Sequence, residues 1–167
     1  MIPIEQLFKY FTFPKVVPNQ KDKFQSDPLF CRLSRESEIQ YVGYKDRSLF
    51  HRKRKFINEI ESGTVNIVFV STAIHLQLIL SPGNINILEN RKVEFRSSLI
   101  FNGVCVQCKG WIDLEKLEGI GCLEYDHVNG EIEDTLLKEQ IKKRPQENDT
   151  IDQHLRTFQS TSHRVKV

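Results

Sequence analysis

The sequence predicts an α+β protein in which a mostly antiparallel sheet curls or closes and helices pack around it. Three observations carry that expectation. Apolar residues alternate with polar ones in short runs from Ile39 onward, glycine-containing breaks separate those runs, and helical periodicity appears before, between and after them. At 167 residues there is room for one domain, or for a domain with a tail.

In chain order, Ile4, Leu7, Phe8 and Phe11 fall on one face of a short helix, and Pro14 and Pro18 then bracket an extended stretch, Lys15-Val16-Val17. Ser26 reads as an N-cap, with Asp27 and Pro28 in the first turn and Phe30 and Leu33 on the apolar face. Ile39 and Tyr41 mark a strand. A helix over about 47–61 places Leu49, Phe56, Ile57 and Ile60 on one side and ends at Gly63. Strands follow at 65–70 and 74–80, the second with Ile74, Leu76, Leu78 and Leu80 in alternation, and then a turn at Ser81-Pro82-Gly83-Asn84. Further strands are predicted at 92–101, 103–109, 111–117 and 121–125, divided at Gly103, Gly110 and Gly119-Ile120-Gly121. Asn129-Gly130 reads as a turn. A helix over 131–143 has Ile132, Leu136 and Ile141 on one side, and the polar, aperiodic stretch from Pro145 onward is expected to be disordered.

Composition narrows the functions. The formal net charge is +2 and the isoelectric point about 8.3, short of the value above about 9 typical of free-standing DNA-binding domains. The charge is uneven, at +5 over residues 1–60, −3 over 61–130 and zero over 131–167. Any cationic face therefore belongs to the first third. No apolar run reaches the roughly 18 residues of a membrane helix. Met1 to Phe13 carries Glu5 and Lys9 and lacks the pattern of a signal peptide, so Cys31, Cys105, Cys108 and Cys122 are expected as reduced thiols in the cytoplasm or nucleus.

Each chemical motif has a plainer reading beside it. Cys105, Cys108, Cys122 and His127 form C-x2-C-x13-C-x4-H, superficially a zinc pattern. In a strand, however, an odd spacing points the first two sulfurs to opposite faces, so packed cysteines are the commoner outcome. The run His51-Arg52-Lys53-Arg54-Lys55, with Lys45 and Arg47 nearby, reads as the solvated face of an amphipathic helix, or else as a nuclear-import or phosphate-binding patch. An OB-like nucleic-acid-binding module using residues 45–55 is the alternative function on that ground. The eleven phenylalanines suit a core better than a base-stacking surface. Asp113 and Glu115, on one strand face beside Trp111, read as a solvated edge. No phosphate loop, nucleophile elbow or metal-spaced histidine pair is present, so neither an enzyme nor a cofactor is expected.

Three stretches run colinearly: Asn102-Gly103-Val104-Cys105-Val106, then Lys109-Gly110-Trp111-Ile112-Asp113-Leu114, then Leu117 to Asp126. Ahead of them lie Val16-Val17-Pro18, Lys23-Phe24, Leu33-Ser34-Arg35-Glu36, Tyr41, Gly43, Asp46-Arg47, Phe69-Val70, Thr72 and Leu76. From about 15 to 126 this closely resembles the core-binding factor beta subunit, with a weaker echo over 131–143. The resemblance implies a partly open, six-stranded, OB-like barrel with packed helices and a C-terminal helix or tail. It divides the chain into an N-terminal extension (1–13), a core-binding factor beta-like domain (14–143) and a tail (144–167). It further implies a non-enzymatic nuclear subunit with a cytoplasmic pool. Such a subunit heterodimerises with a Runt-domain transcription factor and raises its DNA affinity and stability, meeting DNA only through that partner and having no membrane association.

Carried across residue by residue, Thr72, Leu76 and Asn102 match the family's partner-binding positions in identity. Lys15, Ala73, His75, Ile79, Arg96 and Phe101 occupy such positions with altered side chains. Asn102 stands first, because a buried interface amide can satisfy backbone groups of a partner. As a residue alone it also suits a turn before Gly103, and Leu76 suits the core from its alternation with Leu78 and Leu80. On the resemblance, Asn102→Ala and Leu76→Asp are both expected to weaken binding while the monomer stays folded. The family usually has glycine at Ala73, asparagine at His75, glutamine at Ile79 and tryptophan at Cys108, and the loop 81–91 is short here. The apparent CxxC therefore arises from one replacement.

Overall fold

A computed structural model of the chain describes residues 14–142. The expected helix over 4–11 and the tail beyond 143 lie outside those residues. Seven strands form one sheet in the order β3-β2-β1-β7-β6-β5-β4. They are β1 Ser37–Tyr41, β2 Thr64–Phe69, β3 Ile74–Ile79, β4 Ile85–Ile87, β5 Lys92–Phe101, β6 Val104–Asp113 and β7 Glu118–Tyr125. Every neighbouring pair is antiparallel. The sheet rolls until β3 meets β5, where Ser97 Oγ donates to the carbonyl of Ile79 at 2.9 Å. A side chain crosses there in place of a strand ladder, which leaves the barrel partly open. The expected α+β barrel is the fold found, with seven strands where six were expected. The addition is β4, three residues long and too short for alternation to register.

The helices are α1 Gln20–Ser26, α2 Pro28–Leu33, α3 Leu49–Ser62 and α4, residues 127–142. Phe30, Leu33, Phe56 and Ile60 reach from α2 and α3 into the barrel, meeting Ile39, Tyr41, Ile67, Phe69 and Leu78. Burying apolar side chains of this size contributes roughly 1.5–3 kcal/mol each.

Several local expectations are corrected. Asp27, and not Ser26, caps α2: its Oδ1 accepts from the backbone of Leu29 at 2.9 Å and of Phe30 at 3.3 Å, with Pro28 just inside the helix. Ser26 instead closes α1, a helix hidden from periodicity because its one fully buried residue is polar and only Phe24 joins it on the inward side. Gln20 is 0% exposed. Its amide donates to the Gly130 carbonyl at 3.1 Å and to Asp134 at 2.7 Å, and its oxygen accepts from the Cys105 backbone at 2.8 Å.

The predicted break at Gly110 does not occur, and 103–109 and 111–117 become the single strand β6 followed by a turn. Gly110 faces Gly121 across the ladder. A Cβ on Gly110 would run into the Ile120 carbonyl, and one on Gly119 into that of Trp111. These glycines let strands approach closely and do not punctuate them. Asp113 ends β6 by accepting from the backbones of Glu115 and Lys116, while Glu115 lies in the turn.

Helix α3 begins at its cap Ser48 and stops at Gly63, whose φ of +91° suits glycine. Leu49 and Ile57 stay largely exposed, so the buried side is Phe56 and Ile60. Helix α4 starts at 127, taking in Asn129-Gly130, because Asp126 accepts from the backbone and side chain of Asn129. Its inward residues are Gly130 and Leu137. Ile132, Leu136 and Ile141 face outward, reversing the expected side. Leu137 packs on Val16 and Cys105.

Candidate functional site

The hairpin between β5 and β6 is two residues long. Asn102 at φ +47° and Gly103 at φ +75° both lie in the left-handed region, the pattern of a type I′ turn. This suits the twist of the flanking strands and leaves Asn102 exposed at the tip. The turn does not stand free. Val17 donates its backbone N–H to the Gly103 carbonyl at 2.8 Å, and Lys23 Nζ donates to the Asn102 carbonyl at 2.7 Å. Phe101 sets its ring edge-on to Phe30, 5.7 Å between centroids.

A second turn joins β2 to β3 through Val70, Ser71, Thr72 and Ala73. Ala73 holds φ +55°, so alanine keeps the left-handed geometry that glycine would adopt freely. Thr72 Oγ1 is buried and unpaired among the described residues. Arg32 Nη2 donates to the Ser71 carbonyl at 3.3 Å. Helix α2 thus touches the flank of the hairpin through Phe30 and grips the second turn through Arg32, while Lys23 of α1 and Val17 hold the hairpin tip itself. From the second turn β3 presents His75 and Ile79 outward, and Ile79 is 71% exposed. Val70 and Ile100 add exposed apolar surface.

The geometry thus sets Asn102 and Phe101, and Thr72 and Ala73, in two turns supported by α1 and α2, with His75 and Ile79 along the adjoining strand. Lys15 lies two residues before Val17 and so beside the hairpin. Two of the expected residues lie apart from this group. Leu76 is 7% exposed and belongs to the core, supporting β3 from beneath. An aspartate there would bury a charge, so Leu76→Asp is expected to unfold the monomer, correcting the expectation that it stays folded. Arg96 is committed elsewhere: Nη1 donates to Gln107 at 2.8 Å and lies 3.8 Å from Glu124 on the outer face of β5–β7. Sequence reasoning missed Val17, Lys23, Phe30 and Arg32 as supports. Only the Asn-Gly pair, a strong hairpin signal, pointed to the turn they hold.

The other candidate chemistries are not assembled. Cys105 packs beside Val16 and Leu137, whereas Cys108 belongs to the main core, the opposite facing expected of an odd spacing. Burial pushes their thiols up to about 11 and about 12, away from the thiolate form that metals and nucleophilic chemistry need. No group of three or more metal-ligating side chains is present among the described residues, and none of the described helices is long and apolar enough to cross a membrane. In the basic run, Arg52 donates to the carbonyls of Gly43 and Tyr41, and Lys53 pairs with Glu115 at 2.7 Å. Lys55 sits 5.4 Å from the Tyr44 ring centroid.

Comparison with known proteins shows the family. The sequence profile described as core binding factor beta subunit matches residues 13–166. Protein big brother of Drosophila melanogaster is 42% identical over 178 residues, covering 96% of this chain and 80% of that protein. Protein brother of the same organism is 42% identical over 141 residues, covering 79% of this chain and 66% of that protein. With the profile spanning nearly the whole chain and relatives at this identity, the protein belongs to the core binding factor beta subunit family.

Proposed function

We propose that the chain is a non-catalytic regulatory subunit that heterodimerises with a Runt-domain transcription factor and raises that partner's DNA affinity and stability without touching DNA. The observation that carries this reading is the pair of left-handed turns at Ala73 and Asn102, gripped through their carbonyls by Arg32 of α2 and Lys23 of α1. Exposed Ile79, Val70 and Ile100 lie on the segments adjoining them. A rigid rim of exposed amide, backbone and apolar surface suits recognition of a folded protein. The partner-facing residues on this reading are Asn102, Phe101, Thr72, Ala73, His75, Ile79 and Lys15.

The regulation is one of linkage. A subunit that binds the DNA-competent form of its partner more tightly than other forms shifts the population toward it, and DNA must strengthen the heterodimer by the same factor. At a subunit concentration of 100 times Kd, the partner's folded state gains about 2.7 kcal/mol, which lowers its exposure to proteolysis. Action in the nucleus, with a cytoplasmic pool awaiting the partner, fits this role. The OB-like alternative loses ground because Arg52, Lys53 and Lys55 are engaged within the molecule and are not free to line a nucleic-acid groove.

Co-purification with a Runt domain tests the proposal. A 1:1 complex that survives gel filtration is expected, and the two proteins eluting separately at micromolar concentration would overturn it.

A further inference from the structure

We propose that Lys23 is a positioning residue for partner binding, acting through the peptide at the tip of the β5–β6 hairpin. The inference rests on the reading of that hairpin as partner-facing and adds the residue that fixes its shape. In a two-residue turn the peptide between the central residues can reverse. A type I′ turn, with positive φ at both, then becomes type II′, with positive φ only at the first. Here the carbonyl that would swing is that of Asn102, and it is the acceptor held by Lys23 Nζ at 2.7 Å. The following carbonyl, of Gly103, is held by the Val17 N–H at 2.8 Å. Val17 also packs so closely that a Cβ on Gly103 would lie 2.7 Å from its Cγ1.

The hold on the Asn102 carbonyl is firm at its root. Lys23 lies one turn beyond Gln20 on α1, and Gln20 is fully buried and bonded to both β6 and α4. The Lys23 side chain itself is partly buried, so its ammonium reaches the carbonyl from a fixed stem. Without that donor the Asn102 carbonyl loses its fixed partner; the Asn-Gly pair still favours type I′, but the tip varies more about that geometry, and binding must select among its orientations.

The test is titration calorimetry of the full chain against a Runt domain, using Lys23→Met, Lys23→Arg, Asn102→Ala and the Lys23→Met/Asn102→Ala double variant. Lys23→Met is expected to weaken binding roughly fivefold, the scale of one charge-assisted hydrogen bond near the surface. Lys23→Arg, which keeps a donor, is expected to recover most of that loss. In the Asn102→Ala background, Lys23→Met is expected to have little further effect, because both act through one turn. Undiminished loss in that background would mean that Lys23 touches the partner directly and would overturn the proposal. So would wild-type affinity for Lys23→Met when Asn102→Ala binds weakly. If Asn102→Ala itself binds like wild type, the reading of the hairpin as partner-facing fails, a result distinct from failure of the Lys23 role alone.

Discussion

Strands β1, β7 and β6 meet through long ladders in which Gly110, Gly119 and Gly121 bring backbone against backbone, with Ile39 and Ile112 filling the space between. The β2–β3 turn and the β5–β6 hairpin are held differently. There Ala73 and Asn102 take left-handed φ, and single side chains from Arg32 and Lys23 grip carbonyls of the turns. The ladder region gains stability from area and close approach, and little in it can change. The turn region spends a few hydrogen bonds on the orientation of exposed groups. This division suits a protein whose surface serves recognition, because the barrel can stay rigid while its rim varies.

The largest effect should come from breaking the ladder region. Gly119→Ala drives a methyl group into the Trp111 carbonyl and should destabilise the fold by about 3 kcal/mol or more. Urea unfolding measures it, and an unshifted midpoint would contradict the account of close strand approach. Gln20→Leu comes next, at about 2 kcal/mol, since it leaves the Cys105 N–H buried without its acceptor. Amide exchange should then quicken in α4 before it does in β6. Equal protection in both would mean that Gln20 does not hold that helix.

A smaller effect is expected at Asp126. Burial disfavours its charge, but hydrogen bonds from Asn129 outweigh this, and its carboxyl lies below the ordinary carboxylate value. Its folded pKa is thus depressed, so the stabilisation is present above an unfolded value near 3.9 and is lost as pH falls through the folded pKa. Asp126→Ala should remove about 1 kcal/mol at neutral pH and less in acid. Thermal melts of both proteins from pH 7 to 2 check the sign, and a difference that grows in acid would contradict it. Ala73→Gly should have the smallest effect, a gain of about 0.5 kcal/mol. It relieves the left-handed strain of alanine but gives the unfolded chain more freedom. A loss of stability in chemical denaturation would show that alanine is not strained there.

The same contrast explains what could be read in advance. Strands β3 and β5 are legible because alternation and burial coincide in them, as with Leu76, Leu78 and Leu80, and β2 is legible as a β-branched run that stays buried. Gly110 misled because glycine marks a break and a close approach alike, and only the strand opposite distinguishes the two. Helix α1 is hidden because its inward side pairs a single aromatic, Phe24, with Gln20, a residue type usually exposed. On α4 the outward Ile132 and Leu136 suggested the wrong face, while the inward face carries Gly130 and one leucine. The turn at Asn102-Gly103 was visible as a dipeptide. Its supports, Val17 and Lys23, are distant in sequence, and no local pattern joins them to it.

On the proposed function the chain serves DNA binding without binding DNA, and its near-neutral charge is compatible with that. The direct measurement is a DNA titration of a Runt domain with and without saturating amounts of the chain, alongside the chain alone. A lower dissociation constant for the Runt domain is expected when the chain is present, with no DNA shift by the chain alone. An unchanged Runt affinity, or salt-sensitive DNA binding by the isolated chain, would contradict it.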